Sequence, residues 1–143
     1  MALNLVKLCV GVSAIEELQA WIDQRMEQRR ALGKPQQSIH ITRMVPRRMK
    51  QLLDGGSLYW VIKGNVQARQ ILEDIEVFTD KEGIRRCRLI MEPRLIATHW
   101  QPRRAFQGWR YLEQKDAPVD LVAGKDAGFP PQLQRELAEL GLL

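Results

Sequence analysis

Few residues suited to metal binding or nucleophilic chemistry occur in this 143-residue sequence, which contains two cysteines and two histidines. Cys9 and Cys87 lie far apart in apolar, strand-like surroundings, so the sequence excludes a disulfide scaffold and predicts two buried free thiols. No CxxC, HExxH or GxSxG spacing accompanies His40 and His99. The sequence therefore predicts no metal site and no cofactor, and any zinc or serine-nucleophile site would have to be assembled by the fold.

Long apolar runs are also missing. None approaches the roughly 20 residues that are needed to cross a bilayer. The N-terminal stretch has a lysine inside its apolar part and lacks both the charged start and the small-residue cleavage site of a signal peptide. These absences predict a cytoplasmic protein that has no membrane partner. Its length favours a single domain, residues 1–143, with a core large enough to be stable without disulfides or a structural metal.

The charge of the chain is mostly positive and unevenly distributed. The net charge is +5 and the isoelectric point is near 9.6. Residues 1–110 hold 19 Lys and Arg against 11 Asp and Glu, whereas residues 111–143 hold 3 against 6. A basic body favours a polyanionic partner such as nucleic acid, or a phosphorylated ligand, although cations also keep protein surfaces soluble.

Apolar periodicity predicts strands and helices in alternation along the first half of the chain. Ser13 and Glu16 fit a capping box at the start of the first helix. Pro46 suits the first position of a short helix, and Gly55 with Gly56 supplies the left-handed residue that ends it. The predicted elements are a strand at 3–10, a helix from 13 to about 32, a strand at 38–44 and a short helix at 46–54.

Residues 57–63 form the most strongly apolar stretch and are predicted to be a central strand. Leu58, Trp60 and Ile62 share one face, and the alternate residues, ending at Lys63, share the other. Both faces are mostly apolar, so the strand should be covered on both sides. Trp60 is accordingly interpreted as a core residue, which leaves Lys63 as the functional candidate of this stretch.

The second half of the chain predicts a run of strands followed by a helix. Residues 65–77 are interpreted as a long strand, because Val, Ile and Phe dominate toward its end, although a helix beginning at Asn65 competes. The remaining predicted elements are strands at 84–91, 95–100 and 106–112, a loop at 115–131 and a terminal helix at 131–141. This order predicts an α+β domain built on a mostly antiparallel sheet, in the form of a small barrel or a curved sheet.

Several sequence blocks resemble domain-of-unknown-function family 1489, a group of small bacterial proteins with no assigned activity. The resemblance runs essentially from end to end but implies no mechanism. The blocks are LVKLCVG, TRMVP, LLDGGSLYWVIKG, RRCRL, PRRAFQGWRYL, DAPVDL and ELAELGLL.

The order of the predicted elements is also similar to the PUA/ASCH group of RNA- and nucleotide-binding barrels. This likeness rests on the RRMKQLLDGGS helix and turn leading into a half made of strands. It implies a PUA/ASCH-like fold and is an analogy, since a fold does not determine a function.

An anion-binding and base-binding surface is the leading functional prediction. Nucleic-acid binders combine Lys and Arg on phosphates with aromatic rings on which bases stack. For Trp109 and Tyr111, a binding role and a core role are equally supported, whereas Arg103 and Arg104 lie in a loop of the kind that carries contact residues. The predicted RNA- or nucleotide-binding residues are Arg47, Arg48, Lys50, Lys63, Arg103, Arg104, Trp109 and Arg110.

Two alternatives remain open beside nucleic-acid binding. A small barrel hydrolase acting on a modified nucleoside or an amide would use Lys63 with Glu73 or Asp54 near the glycine turn. A protein-interaction module would use the leucine stripe and the acidic residues of the predicted terminal helix. Packing of that helix on its own domain is the preferred interpretation.

Overall fold

The structure is a computed structural model that describes residues 3–121. No helix in this part of the chain is long and apolar enough to cross a membrane. The predicted terminal helix at 131–141 and most of the predicted loop at 115–131 lie outside the described residues. The elements are β1 (Leu3–Leu8), α1 (Ile15–Ala31), β2 (Ser38–Thr42), α2 (Met49–Leu52), β3 (Ser57–Ile62), β4 (Asn65–Thr79), β5 (Arg85–Met91), β6 (Ile96–Pro102), β7 (Trp109–Glu113) and a 3₁₀ turn (Gln114–Asp116).

The strands form one sheet in the order β2-β5-β4-β3-β1-β7, with β6 paired to β4. Every pairing is antiparallel except that of β1 with β3, which is parallel. The prediction of an α+β domain with a mostly antiparallel sheet is therefore confirmed. The seven strands do not close into a barrel, because β2 and β7 are the two ends of the hydrogen-bonded order.

The 15-residue strand β4 gives the sheet its curvature. Its first half pairs with β3 and β6, and its second half pairs with β5, with a bulge between Leu72 and Asp74. Such bulges bend a strand and increase its twist. The sheet curls far enough that the rings of His40 on β2 and Trp60 on β3 lie 5.2 Å apart, although β5 and β4 separate these strands. The prediction of a long strand at 65–77 is confirmed.

The core lies on both faces of β3, as the alternation of this strand predicts. All six residues of β3 are buried. Leu58, Trp60 and Ile62 pack on the concave face against Leu18 and Ile22 of α1. The other face carries a smaller apolar cluster, Val6, Tyr59, Val61, Val66 and Leu112. Burial on both sides makes β3 the centre of the fold.

Two predicted helix starts are wrong. The N-cap of α1 is Ala14, in an extended conformation and without a side-chain cap hydrogen bond, so Ser13 lies one residue too early for the predicted capping box. The helix α2 begins at Met49 instead of Pro46. The reason is tertiary, because side chains of β7 hold the backbone of residues 44–48 away from a helical path.

The last strand and the polarity of β2 also differ from simple expectation. The strand β7 begins at Trp109 because Gly108 has a φ of 71°, which breaks the strand predicted to start at residue 106.

In β2, the alternation was predicted correctly, but the inward side is the polar one. Thr42 is 6% exposed and His40 packs against Trp60, whereas Ile41 is 50% exposed.

Candidate functional site

The segment between β2 and α2 is held against β7 by its backbone. The indole N–H of Trp109 donates a hydrogen bond of 2.8 Å to the carbonyl of Met44. The hydroxyl oxygen of Tyr111 accepts the backbone N–H groups of Arg47 and Arg48 at 2.9 and 3.3 Å. Because main-chain groups hold the segment in place, the side chains of Arg47 and Arg48 are not needed for this. Both side chains are exposed.

This segment forms one wall of a surface hollow of about 520 Å³, which we call the arginine cleft. Three arginines line it, namely Arg43, Arg47 and Arg85, and no carboxylate lines it among residues 3–121. Within the same part of the chain, none of the three has a carboxylate within salt-bridge distance. The remaining lining residues are Met44, Val45, Pro46 and Met49. The cleft therefore has an uncompensated positive charge over a partly apolar floor.

An aromatic pair lies beside the arginine cleft. The rings of Trp109 and Tyr111 meet edge to face with centroids 4.9 Å apart, and the guanidinium of Arg48 lies 5.6 Å from the Tyr111 centroid. Trp109 is only 6% exposed, whereas Tyr111 is 37% exposed. Trp109 is thus a core residue that supports its neighbour. The aromatic surface open to a ligand belongs to Tyr111.

Of the other predicted cations, Arg110 lies on the opposite face of β7, and Lys63 and Arg103 lie beside the β3–β4 turn. Lys63 has a φ of 48° in this turn, and Arg103 donates its backbone N–H to the carbonyl of Gly64 at 2.9 Å. Arg110 lies 5.1 Å from the ring of Phe106, which packs on the cluster around Val61. Because neighbouring strand residues point to opposite faces, Arg110 and Tyr111 diverge. Arg104 and, on α2, Lys50 are both exposed.

The predicted binding residues therefore do not form one surface. Arg47 and Arg48 lie with Tyr111 at the arginine cleft, while Lys63 and Arg103 lie at the β3–β4 turn. The sequence analysis did not identify Arg43 and Arg85 as residues of the cleft. The first lies at the end of a predicted strand and the second at the start of another, and no local pattern distinguishes them from other surface arginines.

The three predicted catalytic residues do not converge. Asp54 precedes β3 and Lys63 follows it, so a six-residue strand separates them by about 20 Å at roughly 3.3 Å per residue. Glu73 lies beyond the Asp54 end of β3 and accepts a hydrogen bond of 3.4 Å from the amide of Gln37. Within residues 3–121, no group of three or more His, Cys, Asp or Glu is arranged to hold a metal ion.

On the outer face of the sheet, Arg69 belongs to a polar network in which a carboxylate balances its positive charge. Arg69 forms two hydrogen bonds to the Asp120 carboxylate, at 2.8 and 2.9 Å, and a third to the Ser57 hydroxyl at 2.7 Å. This guanidinium holds the pKa of Asp120 below its usual value. The pairing fixes the segment after the 3₁₀ turn to the sheet, so Arg69 has a structural role.

A second hollow, of about 210 Å³, lies inside the curl of the sheet beneath α1. Its lining includes His40, Trp60, Lys7 and Arg25. The sequence analysis interpreted Trp60 as a core residue. The sequence feature that could have indicated this hollow was Lys7, a lysine inside an otherwise apolar strand.

Taken together, the fold and its surface define an α+β domain with an open, curved, mostly antiparallel sheet and an uncompensated basic cleft at one side. The chain belongs to the family described as "Protein of unknown function (DUF1489)", which it matches over residues 5–143. No curated protein matches the chain. No solved structure matches it either.

Proposed function

We propose that the protein binds single-stranded RNA through the arginine cleft. The observation that carries the proposal is the convergence of Arg43, Arg47 and Arg85 on one hollow that no described carboxylate lines. Guanidinium groups match phosphate geometry because their planar fork donates two parallel hydrogen bonds. Three such groups around one hollow suit the repeated negative charges of a nucleic-acid backbone.

The neighbouring aromatic ring favours a single strand over a duplex. Tyr111 is 37% exposed next to the arginines, and a base that is not paired has a free face with which to stack on an aromatic ring. Stacking of this kind contributes about 1–3 kcal/mol per base. The order of elements also resembles the PUA/ASCH group of RNA- and nucleotide-binding folds, which supports the proposal by analogy, although the sheet here is open.

The test compares two double variants that remove the same charge. Arg43→Ala/Arg47→Ala removes two of the three cleft arginines, and Arg103→Ala/Arg104→Ala removes two arginines beside the β3–β4 turn. Binding of a fluorescent oligouridylate is measured by anisotropy near physiological salt. We expect the cleft variant to bind at least about tenfold more weakly, a loss of about 1.4 kcal/mol, and the matched variant to change affinity much less.

Folding should not confound this comparison. The backbone N–H of Arg47 that bonds to Tyr111 is kept in the alanine variant, and both arginine side chains are exposed. The melting temperature of the cleft variant should therefore match that of the parent protein. Arg103 is half-buried and donates two hydrogen bonds to Gln101, so the melting temperature of Arg103→Ala/Arg104→Ala is measured before it serves as the control. Absence of RNA binding by the parent protein, or an equal loss in both variants, would contradict the proposal.

A further inference from the structure

The hollow beneath α1 is separate from the arginine cleft, since the two share no lining residue. We call it the inner cavity. Its walls are largely apolar and include Ile22 of α1 and Met91 of β5. Its volume of about 210 Å³ is many times the roughly 30 Å³ share of one water molecule. The cavity is smaller than the roughly 300–1,000 Å³ pockets that hold drug-sized ligands, so it suits a molecule built on one ring system.

One buried polar atom beside the inner cavity has no partner. The Nε2 atom of His40 is buried and makes no hydrogen bond to any described residue. Leaving such an atom unsatisfied costs about 1–3 kcal/mol. Burial, reinforced by the charges of Lys7 and Arg25, lowers the pKa of this imidazole to about 4. The ring is therefore neutral near pH 7 and adds no positive charge to the cavity.

A rigid aromatic wall stands beside this histidine. The ring of Trp60 meets that of His40 edge to face at 5.2 Å, with an interplanar angle of 87°. The indole N–H of Trp60 donates to the Gln70 side-chain oxygen at 2.8 Å, and the Gln70 amide donates in turn to the Glu92 carbonyl at 3.0 Å. Both polar groups of Gln70 are thus occupied. These hydrogen bonds hold the Trp60 ring in place, and the Gln70 groups that form them do not compete with the ring for a ligand.

The charged groups at the inner cavity are both positive. Lys7 on β1 and Arg25 on α1 line it, and no described carboxylate does. Neither cation has a salt-bridge partner within residues 3–121. Arg25 is exposed at the rim, where its guanidinium lies 5.6 Å from the centroid of the Trp21 ring. An occupant should therefore carry negative charge toward this rim.

We infer that the inner cavity binds a small planar organic anion, a single ring system that carries a carboxylate or a phosphate. Its ring would lie in the apolar part of the cavity beside Trp60 and His40. Its anionic group would lie between Lys7 and Arg25. This site is independent of the RNA-binding proposal, because it uses none of the residues of the arginine cleft.

The test uses two pairs of probes that differ in charge. Benzoate is compared with neutral benzamide, and phenyl phosphate with neutral phenol, by isothermal calorimetry on the 143-residue protein. We expect saturable binding of at least one anion, at least tenfold tighter than binding of its neutral partner. Binding of benzoate alone would assign an aromatic carboxylate, and binding of phenyl phosphate alone would assign an aromatic phosphate; either result supports the inference.

Matched variants place the binding in the inner cavity. Arg25→Gln removes an exposed rim charge without endangering the fold, and Arg30→Gln removes one from the same helix outside the cavity. We expect the first variant to weaken anion binding at least fivefold and the second to leave it unchanged. The cleft variant Arg43→Ala/Arg47→Ala should also bind the anion normally. The inference is overturned if neither anion binds, if the neutral partners bind equally well, or if Arg25→Gln and Arg30→Gln behave alike.

Discussion

The buried histidine His40 makes the stability of the protein dependent on pH. The pKa of its imidazole falls from 6.5 to about 4 in the folded protein, first because of burial and then because of the charges of Lys7 and Arg25. One pKa unit corresponds to 1.36 kcal/mol, so the full shift corresponds to about 3 kcal/mol. This is a large part of the 5–15 kcal/mol by which a typical domain is stable.

The direction of the effect follows from which state binds the proton first. As the pH falls below 6.5, the unfolded chain protonates its histidine while the folded protein keeps His40 neutral. The contribution to stability is therefore complete above pH 6.5, is lost as the pH falls toward 4, and changes no further below that value. Asp80 and Asp120 have a lowered pKa in the folded state, so their contributions are lost at lower pH than this window.

Urea unfolding between pH 7 and pH 4 measures the effect. We expect the free energy of unfolding of the parent protein to fall by up to about 3 kcal/mol across this range. His40→Phe keeps an aromatic ring against Trp60 but cannot ionise, so most of the fall should disappear in this variant. His99→Gln serves as the control with the other histidine. An equally steep fall in His40→Phe would refute the reasoning.

Three further predictions concern stability and reactivity. Asp120→Ala leaves Arg69 partly buried without its bidentate partner, so we expect a loss of about 1–3 kcal/mol in urea unfolding. Gly56→Ala would drive a Cβ atom into the Leu3 and Leu52 carbonyls, whereas Gly55→Ala meets open space and only an unfavourable φ, so thermal melting should show a far larger loss for Gly56→Ala. Burial raises the pKa of the Cys9 thiol to about 11, so iodoacetamide at pH 8 should alkylate it about a hundredfold more slowly than an ordinary thiol until urea unfolds the chain.

The strands were predicted from local patterns in the sequence. Alternation in residues 57–63 correctly separated the two faces of β3 and placed Trp60 in the core, because the side chains of any strand alternate between faces. The same local reasoning identified β4, whose residues from Ile75 onward favour a strand. Such features depend on neighbours in sequence and are visible without the fold.

The functional surfaces depend on contacts between distant parts of the chain. Arg43 and Arg85 line the same hollow because β2 pairs with β5, with Thr42 opposite Cys87, and no local pattern encodes this pairing. Trp109 is buried because its indole N–H reaches the carbonyl of Met44, a contact that spans 65 positions. Both the location of the arginine cleft and the burial of this tryptophan therefore required the structure.

The salt dependence of RNA affinity tests the central claim most directly. Each single-strand phosphate that a protein neutralises contributes about −0.7 to the slope of log affinity against log salt concentration. If Arg43, Arg47 and Arg85 each contact a phosphate, replacing all three with alanine should make this slope less steep by about 2. We predict that result for oligouridylate measured by anisotropy over a range of salt concentrations. The same slope in the triple variant and the parent protein would contradict the assignment of RNA binding to the arginine cleft.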